Sequence, residues 1–153
     1  MIAVEPIKIL LVEDQPADVR LTEEVLKQGK VANALFVAED GEKAMQFLRK
    51  EGDYADKPRP DLVILDLNLP RMDGKEVLQA IKGDPNLLNI PVLILTTSAA
   101  ERDILDAYAH HVNAYITKPI DLDEFVGVVS SIEQFWLSLV RLPGGLDERG
   151  NPR

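Results

Sequence analysis

The sequence predicts an α/β fold: a doubly wound, five-stranded parallel sheet with helices on both faces. Three observations carry the prediction. Short aliphatic runs alternate five times with stretches whose apolar residues recur at helical spacing. The runs are apolar at nearly every position, as strands buried on both faces require. The connections are short, which favours right-handed crossovers between parallel neighbours.

The first strand, β1, is expected over Ile7–Val12 and stops at the acidic pair Glu13-Asp14. Helix α1, from Pro16 to Gly29, places Ala17, Leu21, Val25 and Leu26 at helical spacing, with Asp14 available as a cap and Gly29 as a left-handed stop. Strand β2 follows over Ala34–Ala38. Helix α2 starts after Asp40-Gly41, carries Ala44, Phe47 and Leu48, and ends near Gly52. Asp53 to Pro60 is polar, contains Pro58 and Pro60, and reads as an ordered loop.

Strand β3 spans Leu62–Leu65 and ends at Asp66. Leu67 to Gly74 is turn-rich, with Gly74 expected to supply backbone freedom at the entry to α3, whose buried stripe is Val77, Leu78 and Ile81. Strand β4, Val92–Leu95, ends at Thr96-Thr97-Ser98. Helix α4 is expected over Ala99–His111, β5 over Ala114–Ile116, and β5 ends at Thr117-Lys118-Pro119. Asp121 caps a long α5 that runs to about Leu142, where Pro143-Gly144-Gly145 breaks it. Residues 1–142 are therefore expected as one domain and 143–153 as a flexible tail.

Composition narrows the function. At 153 residues and 46% hydrophobic, the chain has enough apolar material for one sizeable core. A net charge of −9, with no cluster of Lys and Arg, argues against direct nucleic-acid binding. The absence of Cys excludes disulfides, thiolate metal sites and a cysteine nucleophile, and agrees with a reducing cytoplasm. Met1 to Lys8 lacks the features of a signal peptide, and no apolar run approaches the roughly 18 residues of a membrane span, so a cytoplasmic protein without membrane contact is expected.

In doubly wound sheets, ligands bind beyond the carboxyl ends of the strands. Those ends carry Glu13 and Asp14 after β1, Asp66 after β3, Thr96 after β4 and Lys118 after β5. Neighbouring carboxylates repel unless a cation compensates, and a hard divalent ion suits them. Mg²⁺ is commonly held by one or two carboxylates plus phosphate, here Asp14, Asp66 and a carbonyl of the following loop. A carboxylate flanked by a metal, an ammonium and a hydroxyl can attack phosphorus and form an aspartyl phosphate. Lys118 and the Thr96 hydroxyl would then neutralise the phosphoryl oxygens.

These residues resemble the receiver domain of two-component response regulators. The resemblance runs from Ile7 to about Leu139 through Leu10-Leu11-Val12-Glu13-Asp14, the segment Asp66 to Gly74, Thr96-Thr97-Ser98 and Lys118-Pro119. It implies a flavodoxin-like strand order of 2-1-3-4-5. It also implies that Asp66 accepts phosphate from a sensor histidine kinase. Mg²⁺ would be held by Asp14, Asp66 and the Asn68 backbone carbonyl, and by Glu13 through water. Lys118 would be the salt-bridging lysine, preceding Pro119 through a cis bond. Thr96 and Tyr115 would be the switch pair, although Tyr115 can equally be a static, half-buried strand aromatic. Thr97 is bulkier than the Ala or Gly often found there and implies narrower access to the phosphoryl group.

Gly52 to Pro60, Ile81-Lys82-Gly83-Asp84-Pro85 and Phe135-Trp136-Leu137 resemble the small phytochrome-associated regulators of cyanobacteria. That narrower resemblance implies a phytochrome as the sensor kinase and a homodimer built on α4, β5 and α5. In α5, Phe125, Val129, Ile132 and Trp136 form one stripe suited to the sheet. Phe135, Leu137 and Val140 are among the residues that spread apolar surface around the rest of the helix, and they are expected to meet a second copy or fold back on the domain. His110 and His111 diverge at a helix end and are read as solvated or interface groups.

The expected function is that of a stand-alone receiver, a phosphoacceptor and not an enzyme, whose phosphorylation changes the α4-β5-α5 surface and acts on an unknown downstream protein. Two alternatives stand beside it. An Mg²⁺-dependent aspartyl-nucleophile phosphatase would want an acid two residues after the nucleophile, where this chain has Asn68. A phosphorylation-independent interaction module would keep the fold alone.

Overall fold

The computed structural model describes residues 6–29, 32–96, 114–117 and 122–132. Strands β1 (Ile7–Val12), β2 (Asn33–Ala38), β3 (Leu62–Leu65), β4 (Val92–Thr96) and β5 (Ala114–Thr117) form one five-stranded sheet in the order β2-β1-β3-β4-β5. Every pairing is parallel. The register lays Ala38, Val12, Leu65, Ile94 and Tyr115 in one row across the sheet. Strand order reverses at β1, which has β2 on one side and β3 on the other.

Alternation along each strand divides the core into two layers. Leu10, Val12, Val63, Leu65, Val92 and Ile94 face α2 (Gly41–Arg49) and α3 (Gly74–Lys82), meeting Ala44, Phe47, Leu48, Val77, Leu78 and Ile81. Ile9, Leu11, Leu62, Ile64, Leu93 and Leu95 face α1 (Pro16–Gln28) and α5 (Leu122–Ile132), meeting Leu26, Phe125, Val129 and Ile132. Because both faces are covered, β3 is buried at every residue, and truncating one of its leucines to Ala would cost about 2–5 kcal/mol.

Helix ends are set by means that differ in part from expectation. Asp14 does not cap α1; the cap position is Gln15, without a side-chain bond, and Pro16 begins the helix. Asp14 lies one residue too early for that role, and its carboxylate stands with those of Glu13 and Asp66 instead. Gly29 is extended (φ −72°, ψ 168°), not left-handed; its N–H closes the last turn by donating to the Leu26 carbonyl at 3.3 Å, so no left-handed residue is used at this end. α2 is capped by Asp40 Oδ1, which accepts the Lys43 N–H at 2.8 Å, and it ends where Lys50 turns left-handed (φ 56°), before Gly52. α3 is capped by Asp73 Oδ1, which accepts the Glu76 N–H at 3.0 Å. Gly74 has no positive φ. Its requirement is space, since a Cβ there would overlap the Asp66 carbonyl oxygen and the Leu67 Cα.

Beyond α3, the loop to β4 is tied down by cations. Arg59 donates to the Asn86 carbonyl, Arg49 stands 3.8 Å from Asp84, and the half-buried Lys82 ammonium donates to the Leu88 and Ile90 carbonyls at 3.3 and 3.4 Å. Burial lowers the Lys82 pKa below the usual lysine value. The α4 expected over Ala99–His111, the Asp121 cap, the continuation of α5 to Leu142 and the tail at 143–153 lie outside the described residues. No helix among the described residues is long and apolar enough to cross a membrane.

Candidate functional site

The site is built at the carboxyl edge of the sheet, where strand order reverses and the loops after β1 and β3 diverge to opposite faces. Val12 and Leu65 stand side by side as the last residues of their strands. The Asp66 N–H continues the ladder to the Val12 carbonyl at 3.0 Å, and the Glu13 N–H does the same toward Ala38 at 3.0 Å. Glu13 and Asp66 are thereby fixed by backbone bonds before their side chains make any contact.

Glu13, Asp14 and Asp66 each direct one carboxylate oxygen into a shared space, and these oxygens all lie within 4.8 Å of one another. Glu13 and Asp66 are only 2% and 4% exposed, whereas Asp14 is exposed. Glu13 Oε1 accepts the Gln15 N–H at 3.2 Å and Asp66 Oδ1 accepts the Asn68 N–H at 3.0 Å. The second bond is an Asx-type turn: it orients the carboxylate and starts the loop in one stroke. At this separation, each like-charged pair repels by about 1 kcal/mol in water and about 3.5 kcal/mol at an effective dielectric of 20.

That donor set fits Mg²⁺. Its oxygens are hard, two are held in place, and opposite ligands of an octahedral Mg²⁺ stand about 4.2 Å apart, so sub-ångström shifts or an intervening water would complete the fit. Each of the three carboxylates offers one oxygen to such an ion. Asn68 follows in the exposed start of the loop, two residues from Asp66.

The remaining expected site residues are placed unequally. Thr96 ends β4 opposite Thr117, two residues beyond the row that contains Leu65 and Ile94. Tyr115 pairs with Ile94 in β5. For both, the backbone position is described and the side chain is not. Lys118, its bond to Pro119, Thr97, His110, His111, Phe135, Leu137 and Val140 lie outside the described residues.

One part of the site was not anticipated from sequence. Arg71, in the loop between β3 and α3, is left-handed (φ 64°), and its guanidinium stands 3.8 Å from Asp40 and 3.6 Å from Glu42 at the start of α2. A Cβ at Gly41 would overlap the Met72 carbonyl, so the two junctions touch backbone to backbone. Asp40-Gly41 signalled a helix start, but an arginine carries no signature of left-handed backbone, and nothing in the spacing joins it to residues thirty positions earlier.

Comparison with known proteins agrees with this geometry. The response regulator receiver domain matches residues 9–130. Response regulator Rcp1 of Synechocystis sp. is 50% identical over 138 residues, covering 90% of this chain and 94% of that protein. The crystal structure of the phosphorylated cyanobacterial phytochrome response regulator RcpA superposes with a TM-score of 0.85 at 50% identity, covering 91% of this chain and 99% of that one. The Mn²⁺-bound form of Rcp1 gives a TM-score of 0.85 at 50% identity, covering 90% and 99%. With its sheet order, its acid cluster and its Asp40–Arg71 ion pair, the chain belongs to the response regulator receiver domain family, whose members act as phosphoacceptors in two-component signalling.

Proposed function

We propose that Asp66 is the phosphoacceptor of this receiver, and that the phosphodonor is the phosphohistidine of a phytochrome-type sensor kinase. The observation that carries the reading is the convergence of the Glu13, Asp14 and Asp66 carboxylates at the edge where strand order reverses. The phytochrome assignment is supported by the likeness to RcpA.

In the transfer, an Asp66 carboxylate oxygen bonds to phosphorus as the phosphorus–nitrogen bond of the phosphohistidine breaks and the imidazole leaves with the electron pair. When bound, Mg²⁺ supplies positive charge against the phosphoryl oxygens and the carboxylate that approaches them. Asp14, Asp66 and the Asn68 backbone carbonyl would hold it, and Glu13 would add charge from its buried position beside them. Lys118, the residue after β5 in the sequence, and Thr96, the last residue of β4, are assigned as the polar partners of the phosphoryl group. Burial of Asp66 limits the approach of bulk water to the reacting carboxylate.

Phosphorylation shifts a pre-existing equilibrium in which Thr96 and Tyr115 are the moving pair. The apolar side chains of Phe135, Leu137 and Val140, which follow α5 in the sequence, join two copies, and the altered α4-β5-α5 surface acts on a downstream protein.

Transfer from an autophosphorylated phytochrome kinase tests the reading. The expected result is loss of label from the kinase with one equivalent gained by this chain, abolished by Asp66→Asn. Transfer that persists in Asp66→Asn would overturn the assignment of the acceptor, and transfer from unrelated kinases at the same rate would overturn that of the donor.

A further inference from the structure

The loop that leaves Asp66 is held at both of its ends. At the near end, Asp66 Oδ1 accepts the Asn68 N–H at 3.0 Å, and the Gly74 N–H donates across the loop to the Leu67 carbonyl at 3.1 Å. At the far end stands Arg71, left-handed at φ 64°, a conformation that residues other than Gly, Asn and Asp seldom adopt. Something must hold it there.

The guanidinium of Arg71 reaches Asp40 Oδ2 and Glu42 Oε2. Asp40 is not a mobile surface acid: its side chain is 8% exposed and its other oxygen already caps α2 through the Lys43 N–H. Arg71 itself is 68% exposed, so its attraction to the two acids is screened by solvent and modest. Its leverage is geometric. The next residue, Met72, sets its carbonyl where a side chain on Gly41 would overlap it, so the ion pairs close over a direct contact between two backbones. The start of α2 and the loop that carries Asn68 therefore form one clamped unit.

We infer that Arg71 is a positioning residue for the metal site: paired with Asp40 and Glu42, it fixes the course of the β3–α3 loop and so presents the Asn68 backbone carbonyl to Mg²⁺. The inference rests on the assignment of Asp14, Asp66 and Asn68 as ligands.

Three variants separate its parts. Arg71→Gly removes the guanidinium while favouring the left-handed backbone, Arg71→Ala removes the guanidinium without that benefit, and Arg71→Lys keeps the charge without the planar fork. Each is titrated with Mg²⁺ while the Asn68 and Gly74 amide resonances are followed, and hydrogen exchange at the same amides is measured without metal. The expected result is about threefold to fivefold weaker Mg²⁺ binding in Arg71→Gly. Its Asn68 and Gly74 amides exchange faster than in the wild type, those of β1 do not, and Arg71→Lys recovers part of both losses. Wild-type affinity and exchange in Arg71→Gly would overturn the inference, as would losses in Arg71→Ala alone, which would assign the effect to backbone conformation. If the wild type itself binds no Mg²⁺, the ligand assignment fails, and the metal-free exchange rates still decide whether Arg71 holds the loop.

Discussion

The Asp66 N–H donates to the Val12 carbonyl at 3.0 Å, extending the β1–β3 ladder one residue past the last strand pair. This bond carries Asp66 to the level of Glu13 and builds electrostatic repulsion into the fold, because the backbone pairing brings carboxylates together whether or not a cation is present. The site is thus preorganised for a metal at a cost in the metal-free protein.

Asp14 exposes that cost most directly, since it is the exposed member of the cluster. Asp14→Asn removes one charge without removing volume. It is expected to stabilise the metal-free protein by up to about 2 kcal/mol, the screened repulsion of the two pairs that Asp14 forms with Glu13 and Asp66. Mg²⁺ at a hundred times its dissociation constant should stabilise the wild type by about 2.7 kcal/mol, and Asp14→Asn should lose most of that gain. Thermal unfolding with Mg²⁺ and with EDTA checks both signs.

Three glycines should respond in opposite directions to the same substitution. A Cβ at Gly41 or Gly74 meets backbone atoms of Met72, Asp66 or Leu67, which cannot rotate away, so each change to Ala should destabilise by about 1–3 kcal/mol. Gly127 lies within α5 with open space around it, and Gly127→Ala should stabilise by about 0.5–1 kcal/mol. Urea unfolding of the three variants reads the contrast.

Lys82 links stability to alkaline pH. Its folded pKa is lowered by burial, so the folded state gives up this proton before the unfolded state does. The penalty of burying its charge is fully present below the folded pKa and is relieved as pH rises toward the unfolded value. Compared with Lys82→Met, the wild type should therefore gain relative stability through that alkaline window. Chemical denaturation of both proteins at neutral and alkaline pH measures the difference.

Much of this architecture was legible in the sequence because its strands are buried on both faces. Ile7–Val12 and Leu62–Leu65 must be almost wholly apolar, and the acids that end them mark the sheet edge. The strand order came with the family resemblance, and the acid cluster with strand ends read together. Local backbone geometry was harder to read. Gly29 and Gly74 were expected to serve through conformational freedom, yet Gly29 is extended and Gly74 provides room for the Asp66 carbonyl. Lys50 and Arg71 hold the left-handed positions instead, and neither side chain advertises it. The Asp73 cap was available from the pattern Asp73–Glu76, an acid followed three residues later by Glu. The Arg71–Asp40 pair joins segments whose proximity only the folded sheet creates.

The most direct measurement is intact mass after incubation with acetyl phosphate, carried out with Mg²⁺, with EDTA and with Asp66→Asn. The account predicts one added phosphoryl group, stable to acid and labile to base, in the wild type with Mg²⁺ and in neither of the other two. A phosphoryl group that forms equally in EDTA, or that survives Asp66→Asn, would contradict it.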